Sequence, residues 1–502
     1  MLTNRLVIIG IDAADYAVVR ELLENLELPH LSKIASGGNF SCLKSVVPPH
    51  TAPGWTSITT GVNPGKHGIY YFYNFTTSPA TIINATDSSA ARIWDYVGAS
   101  GGRSVVVNVP ITYPVTEISG SIVSGIPPWY VDKRAVSPTS LLKKLQDRGY
   151  KIETPMSRAL EKQPESLVNR LLETEELRVE TFLSLLREEG DKWSFGMIVI
   201  TALDRLQHKL VGGGKLEEEQ VRRAYRIIDR LVGRIIDELG PEVNYVVVSD
   251  HGFAETPVAF YPNAWLYKRG LLQRKSSQQH RLFRAVHNLF DGHLLWLPLS
   301  LTKRFQGANV IVPTIDAVDL VKSQAFVPGT DGLIIVKSKK DLDAIAKGLS
   351  EIRDEAGQKV CAVYPKNQIY NGDKLDSAPE LLILTRDDVT IRSDPFSSKF
   401  VSATGDFPRG NHSSNGIFFA IGPTIKKSEP LALRLEDVAP VALVLMGIKP
   451  PKLMDGRAPD ELMIKPLSSG LSTLKTVSAP AYKFSEEEEE LVMENLRRLG
   501  YT

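Results

Sequence analysis

Three short apolar runs constrain most strongly what this chain can fold into. Leu6 to Ile11, Trp193 to Thr201 and Asn244 to Val248 are each nearly continuous in hydrophobic residues. Runs of this length suit strands buried on both faces, as in a parallel sheet covered by helices. Each run hands over to an acidic residue: Asp12, Asp204 and Asp250. Open α/β sheets bind ligands outside the carboxyl ends of their strands. Helical segments and glycine turns alternate with the runs, as in βαβ units. The pattern predicts a doubly wound, mostly parallel α/β sheet with helices on both faces and three carboxylates at one edge.

Each carboxylate has a companion. Asp204 and His208 stand four apart and share one face of a helix, a spacing suited to a divalent metal. Asp250 and His251 are adjacent in Ser-Asp-His-Gly, where Gly252 is expected to turn the backbone. Asp12 stands alone after Gly10. His412 lies in a glycine-rich turn ahead of the run GIFFAIG. Each residue has a second reading: an N-cap of the first helix for Asp12, a helix-start aspartate with an unrelated histidine, a polar turn and a loop histidine.

The stretch Pro48 to Phe75, PPHTAPGWTSITTGVNPGKHGIYYFYNF, resembles neither a core strand nor an ordinary helix. Thr51 stands at a helix start, with Pro53 where a first turn tolerates proline. Helix starts favour anions, so the Thr51 hydroxyl reads as a nucleophile for phosphorus or as an N-cap on a surface turn. Gly61 to His67 does not have P-loop spacing, and no G-x-G-x-x-G follows the first strand.

Of the 502 residues, 43% are hydrophobic and 23% charged, with a net charge of +1. That balance is of a globular protein and gives no global steering to nucleic acid. The only cysteines, Cys42 and Cys361, make no disulfide framework or cysteine zinc site. The start reads as a strand rather than a leader, and no window reaches a membrane span, so the expectation is a cytoplasmic protein. His293 to Leu301 is the most apolar local segment and reads as part of a cap. His280, His287 and His293 lack carboxylate companions and read as ordinary cap residues. The charged run LLETEELRVETFLSLLREE reads as a solvated helix face.

Residues 1–254 and 411–465 are expected to form the core, with a helical insert at about 127–190. Residues 255–410 form an inserted cap, with at least one strand free to return to the core. Residues 466–502 form a tail and helix.

Taken in order, the blocks resemble the alkaline phosphatase superfamily, in particular its type I phosphodiesterase and nucleotide pyrophosphatase branch and the uncharacterised phosphohydrolase or phosphomutase group. They are the strand ending at Asp12, T-x-P-x-x-x-S-x-x-T-G from Thr51, P-G-x-H-G-I from Pro64, D-x-x-x-H from Asp204, S-D-H-G, G-x-H at His412, and D-V-A-P, L-M-G-I and M-D-G-R in the tail. The resemblance implies two divalent ions, zinc by the mixed His/Asp donors, with manganese tolerated. Asp204, His208 and His412 would hold one. Asp12, Asp250 and His251 would hold the other, with Thr51 beside it as nucleophile and further metal contact. Two divalent cations outweigh three aspartates by one positive charge, which suits a phosphate ester or nucleotide-type substrate.

The implied activity is hydrolysis of phosphoric esters through a phospho-threonine. A phosphomutase or phospho-group transferase on the same site is the alternative, and a catalytically silent binding protein is the alternative of another class. Asn74 and Lys66 are candidates for substrate contact. No arginine stands next to Thr51 as in alkaline phosphatases, and the sulfatase C/S-x-P-x-R pattern is absent. Specificity is expected in the cap and the helical insert.

Overall fold

In the computed structural model, residues 2, 4–75, 80–128, 130–154, 163–275, 317–405, 409–464 and 481–499 are described. The basic segment after Lys275, His280, His287, His293 and the apolar His293–Leu301 lie outside them. The chain divides into two units. Of the described residues, those within 2–254, Tyr370–Ala378 and His412–Leu499 form one, and those within Glu255–Ile369 and Pro379–Asn411 form the other.

The first unit is built on a nine-stranded sheet. Its strands are β1 (Arg5–Ile11), β2 (Asn39–Lys44), β3 (Ser104–Val109), β4 (Gly120–Ser124), β5 (Val136–Ser137), β6 (Phe195–Ile200), β7 (Val243–Val248), β8 (Asn415–Ile421) and β9 (Leu433–Arg434). The order across the sheet is β9-β2-β8-β7-β1-β6-β3-β4-β5. The five strands from β7 to β4 run parallel, with β1 at their centre between β7 and β6. The next strands outward, β8 and β5, are antiparallel. All three apolar runs are therefore neighbours, which brings their carboxyl ends to one place.

Continuous apolar composition follows from burial on both faces. Leu6 and Ile8 of β1 join one core with Trp55, Ile58 and the helix Val438–Leu445. Val7 points the other way, where Phe182 closes on Gly196 of β6. Phe182 belongs to the helix Pro164–Glu189, which packs against both β3 and β6. The segment expected as a helical insert thus supplies one covering layer of the sheet, and its Val136–Ser137 extends the sheet by a strand.

Nor is the charged run in that helix wholly solvated. Glu175 and Arg178 are 1% exposed and paired at 2.6 Å. Leu171, Glu175, Arg178 and Phe182 recur at the spacing of one helix face. Two charges at core positions of an apolar stripe are the signal that distinguishes them from their solvated neighbours.

The second unit carries a four-stranded antiparallel sheet of Ala325–Phe326, Leu333–Val336, Leu381–Thr385 and Cys361–Pro365, and a three-stranded sheet. No described strand of this unit joins the nine-stranded sheet. What returns to the first unit is the segment Tyr370–Ala378, where Asn63 donates to Asn371 at 3.1 Å. The C-terminal segment, expected as a separate tail, also belongs to the first unit: Phe484 stacks on Tyr113 at 5.9 Å between centroids. Among the described residues, no helix is long and apolar enough to cross a membrane.

Candidate active site

Asp12 follows β1 and is fully buried. It does not cap the first helix. Asp15 does, accepting from the amides of Ala17 and Val18. Asp12 is held instead by Trp55, whose Nε1 donates to Oδ2 at 3.3 Å. Trp55 reaches it because position 10 is glycine: a Cβ there would lie 2.3 Å from the indole ring.

Thr51 opens the helix Thr51–Thr60. The cap is His50, whose Nδ1 accepts from the Ala52 amide at 3.2 Å. The expectation of anion-binding first-turn amides is correspondingly weakened, because the Ala52 amide is engaged and Pro53 has none. The Thr51 hydroxyl is buried, 3.5 Å from Asp12 Oδ1 and 3.3 Å from His251 Nε2.

Asp250 and His251 follow β7, both fully buried. Asp250 Oδ1 accepts from the Ala13 amide at 3.3 Å, which ties the ends of β7 and β1 together. Gly252 begins a short strand, not a sharp turn; a Cβ there would meet Asp15 Oδ2 and Ser413 Oγ at 2.3 Å. Asp204 and His208 lie on the helix Ala202–Leu210 that leaves β6, and His412 lies in the short strand Gly410–Ser413 rather than in a turn.

The structure gathers six of the expected ligands with Thr51 in one buried cluster. Asp12, Asp250 and His251 form one group of donors, and Asp204, His251 and His412 another. His208 Nε2 is 2.9 Å from His412 Nε2 and 3.4 Å from Asp204 Oδ1. His251 thus reaches both groups, so the donors do not divide by distance alone into the two expected triplets.

The two central histidines have assigned tautomers. His251 Nδ1 lies 3.0 Å from the Gly252 carbonyl, and His412 Nδ1 lies 3.2 Å from the Pro49 carbonyl. A carbonyl only accepts, so each Nδ1 carries the proton and each Nε2 presents a lone pair. The His251 lone pair faces Asp250 Oδ2 at 3.2 Å and Asp12 Oδ1 at 3.6 Å. The His412 lone pair faces Asp204 Oδ1 at 3.3 Å. Asp250 Oδ2 is buried without a hydrogen-bond partner. Lone pairs converging on ionised oxygens repel unless a cation or proton lies among them.

The ionisation pattern agrees. Burial, followed by the charges of Asp250 and Asp204, holds the Asp12 carboxyl well above its usual range. Burial and Asp204 push Asp250 up to about 8. Burial keeps His251 and His208 neutral by lowering both. Burial opposes the charge on Asp204 too, yet His208 and the Arg205 guanidinium hold its carboxyl well below the usual range. Neutral imidazoles and carboxylates that must shed protons are the donors a divalent cation requires. The residues fit two such ions.

The remaining candidates have other partners. Lys66 Nζ is 2.6 Å from Asp455 and donates to the Leu453 carbonyl at 2.9 Å, so it ties the turn after the helix to the M-D-G-R block. Asn74 ends a two-residue strand paired with Thr81–Ile82. His67 Nε2 bonds Ser57 Oγ at 2.9 Å, as a structural turn residue would. Sequence reasoning missed His50, Trp55 and Arg205, which contact the ligands or Thr51's helix start. Only Arg205 carried a signal, as a cation beside Asp204.

A doubly wound sheet with aspartates and histidines converging on a helix-start hydroxyl defines an alkaline-phosphatase-like hydrolase of phosphoric esters. The family model for type I phosphodiesterase / nucleotide pyrophosphatase matches residues 6–415, and the chain belongs to that family. The family is metal-dependent, with two ions typical. No curated protein matches the chain in sequence.

Solved structures share the fold. Phosphonoacetate hydrolase from Sinorhizobium meliloti 1021, in complex with phosphonoformate, is similar with a TM-score of 0.58 at 16% identity, over 89% of this chain and 96% of that one. Murine ectonucleotide pyrophosphatase / phosphodiesterase 5, an inactive threonine-to-alanine variant in complex with AMP, has a TM-score of 0.53 at 15% identity, over 89% and 96%. The human ectonucleotide pyrophosphatase / phosphodiesterase 5 has a TM-score of 0.54 at 14% identity, over 92% and 100%.

Proposed function

We propose that this chain hydrolyses a phosphodiester or nucleotide-type pyrophosphate through a phospho-threonine on Thr51. Asp12, Asp250 and His251 would hold one divalent ion, and Asp204, His208 and His412 the other, with zinc the favoured metal for such donors. The ions would supply positive charge for the attacking and leaving oxygens.

The chain's own residues account for the rest. The hydrogen bond from Thr51 Oγ1 to Asp12 Oδ1 orients the hydroxyl and gives its proton a direction in which to leave. Attack forms the Oγ–P bond and breaks the bond from phosphorus to the leaving oxygen, which departs as an alcohol or a phosphate. Water then attacks phosphorus, breaks the Oγ–P bond and restores the threonine hydroxyl. The buried surroundings of Thr51 keep bulk water from competing in the first step.

The observation that carries this reading is the pair of histidine lone pairs, each set by a backbone carbonyl, facing carboxylates beside a buried threonine hydroxyl. An inactive threonine-to-alanine variant of a relative supports the nucleophile. The test is acid quenching during turnover of bis-nitrophenyl phosphate, followed by mass spectrometry of the peptide containing Thr51. A nitrophenylphosphoryl group on Thr51, left after loss of one nitrophenol, is expected. Turnover without it, or faster turnover of nitrophenyl phosphate than of the diester, would overturn the proposal.

A further inference from the structure

Between Asp204 and His208 stands Arg205, whose side chain is fully buried. Its Nη1 donates to Asp204 Oδ2 at 2.5 Å. Its Nε and Nη2 both donate to Glu153 Oε2 at 3.2 Å, and the Glu153 side chain is 4% exposed. Neighbours in a helix do not face one another. The Arg205 side chain therefore has to fold back to reach Asp204, and Glu153 holds it there. Asp204 is left with its two oxygens in different roles: Oδ2 meets the guanidinium, and Oδ1 is 3.4 Å from His208 Nε2 and 3.3 Å from His412 Nε2.

The helix carrying this arrangement is itself tied at its start. Glu175 Oε1 accepts from the amides of Thr201 and Ala202, each at 2.9 Å, and pairs with Arg178. An acidic side chain on the first amides does the work of a cap and suits the helix dipole. A buried chain of alternating charge, Glu175–Arg178 beside Glu153–Arg205–Asp204, thus fixes both the position of the helix and the rotation of one carboxylate.

We propose that Arg205 is a positioning residue that restricts Asp204 to coordination through one oxygen, leaving a ligand position open on the ion it shares with His208 and His412. The proposal rests on the two-metal reading above. A carboxylate with both oxygens available can chelate and occupy the position a substrate oxygen needs. A guanidinium planted on Oδ2 removes that option, and its fork shared with Glu153 stops it from turning away. Substrate then competes only with water for that position.

Charge and geometry predict opposite signs on mutation, which makes the proposal decidable. As a mere positive charge beside a cation, Arg205 would weaken metal binding. Arg205→Met would then bind metal more tightly than the natural protein, and Arg205→Lys, which keeps the charge, would match it. As a positioning residue, Arg205 supports the ligand. Lysine cannot bridge Asp204 and Glu153, so both variants should lose about 10- to 100-fold in affinity at one of two sites.

The experiment is zinc titration of chelator-treated full-length protein against a competing dye, for the natural protein, Arg205→Lys, Arg205→Met and Glu153→Gln. Visible absorption of the cobalt-loaded forms accompanies it. Weaker zinc at one site in Arg205→Lys is the expected result, because losing the held rotation of Asp204 costs more than a strained four-membered chelate returns, with fainter cobalt bands as the freed second oxygen raises the coordination number. Glu153→Gln keeps Arg205 but loosens its anchor. It should shift the same site in the same direction, and it decides the matter if an Arg205 variant does not fold. Two sites unchanged in Arg205→Lys and Glu153→Gln would overturn the proposal and leave the metal centre standing. A natural protein that takes up no metal would overturn the metal centre and the proposal together.

Discussion

The imidazoles of His251 and His412 stack with centroids 3.9 Å apart and planes 25° apart, at the meeting point of two donor groups. Each ring is turned by a backbone carbonyl so that Nε2 faces the carboxylates. Replacing His412 with alanine should remove one equivalent of metal, and replacing His251 should disturb both, since His251 reaches both groups. Metal analysis of the purified variants checks the stoichiometry, and an unchanged metal content in both would remove these histidines from the centre.

Thr51→Ala should keep the metal and lose turnover by about 10⁴-fold or more, as loss of a nucleophile does elsewhere. Thr51→Ser keeps an oxygen at the same place and should retain measurable rate. Steady-state assays with bis-nitrophenyl phosphate, alongside metal content, separate loss of chemistry from loss of the ions.

The acidities give a signed pH effect. In the metal-free protein Asp250 is raised from about 4 to about 8, so the folded state holds a proton that the unfolded chain releases across that interval. This contribution to stability is present at low pH and is lost as pH rises through 8. His251 is lowered, so its contribution is full above about 6.5 and is lost as pH falls below it. Between pH 6.5 and 8 the raised carboxyls decide the sign, Asp250 with Asp12 acting in the same direction. Chelator-treated protein should therefore melt at lower temperature at pH 8 than at pH 6.5, and zinc affinity should climb over the same interval as the proton leaves. Thermal scans of both forms check this, and a chelated protein that gains stability toward pH 8 would contradict it.

Trp55→Phe keeps the ring against Gly10 but removes the donor to Asp12 Oδ2. Losing a buried partner of a carboxylate costs about 1–3 kcal/mol. The metal-loaded protein should lose turnover as well, because Asp12 also orients Thr51. Denaturant unfolding and the kcat of the same variant read the two effects separately.

Glu175→Ala should destabilise the fold by about 3–5 kcal/mol, because Arg178 is left charged and buried without its partner. A surface glutamate of the same helix, Glu173, should be almost silent when replaced. Comparing the two by denaturant unfolding tests whether the charged run holds one buried pair among solvated neighbours.

The central sheet was legible in the sequence because burial on both faces leaves a mark no solvated strand carries, the unbroken apolar run of β1, β6 and β7. Strand ends mark the edge, so Asp12, Asp204, Asp250 and His251 stood out as candidates from the amino-acid order alone. His412 and Thr51 stayed open between two readings until block order and resemblance favoured one, since a histidine in a glycine-rich segment and a threonine before a helix have ordinary uses. Local pattern was silent or misleading elsewhere. It made Gly252 a turn, where the structure needs room for Asp15 and Ser413. It gave Glu175 and Arg178 to solvent, where the helix is packed on the sheet.

By itself, then, the sequence determined the kind of sheet and the chemical types at its edge, because hydrophobic periodicity and residue chemistry are local properties. The tertiary structure alone decided which nitrogen of each histidine faces the carboxylates and which oxygen of Asp204 meets Arg205. It also decided that His50, not Thr51, caps the helix. Those are matters of orientation between residues far apart in the chain, fixed by partners such as the Pro49 carbonyl and Glu153 that no spacing rule brings together.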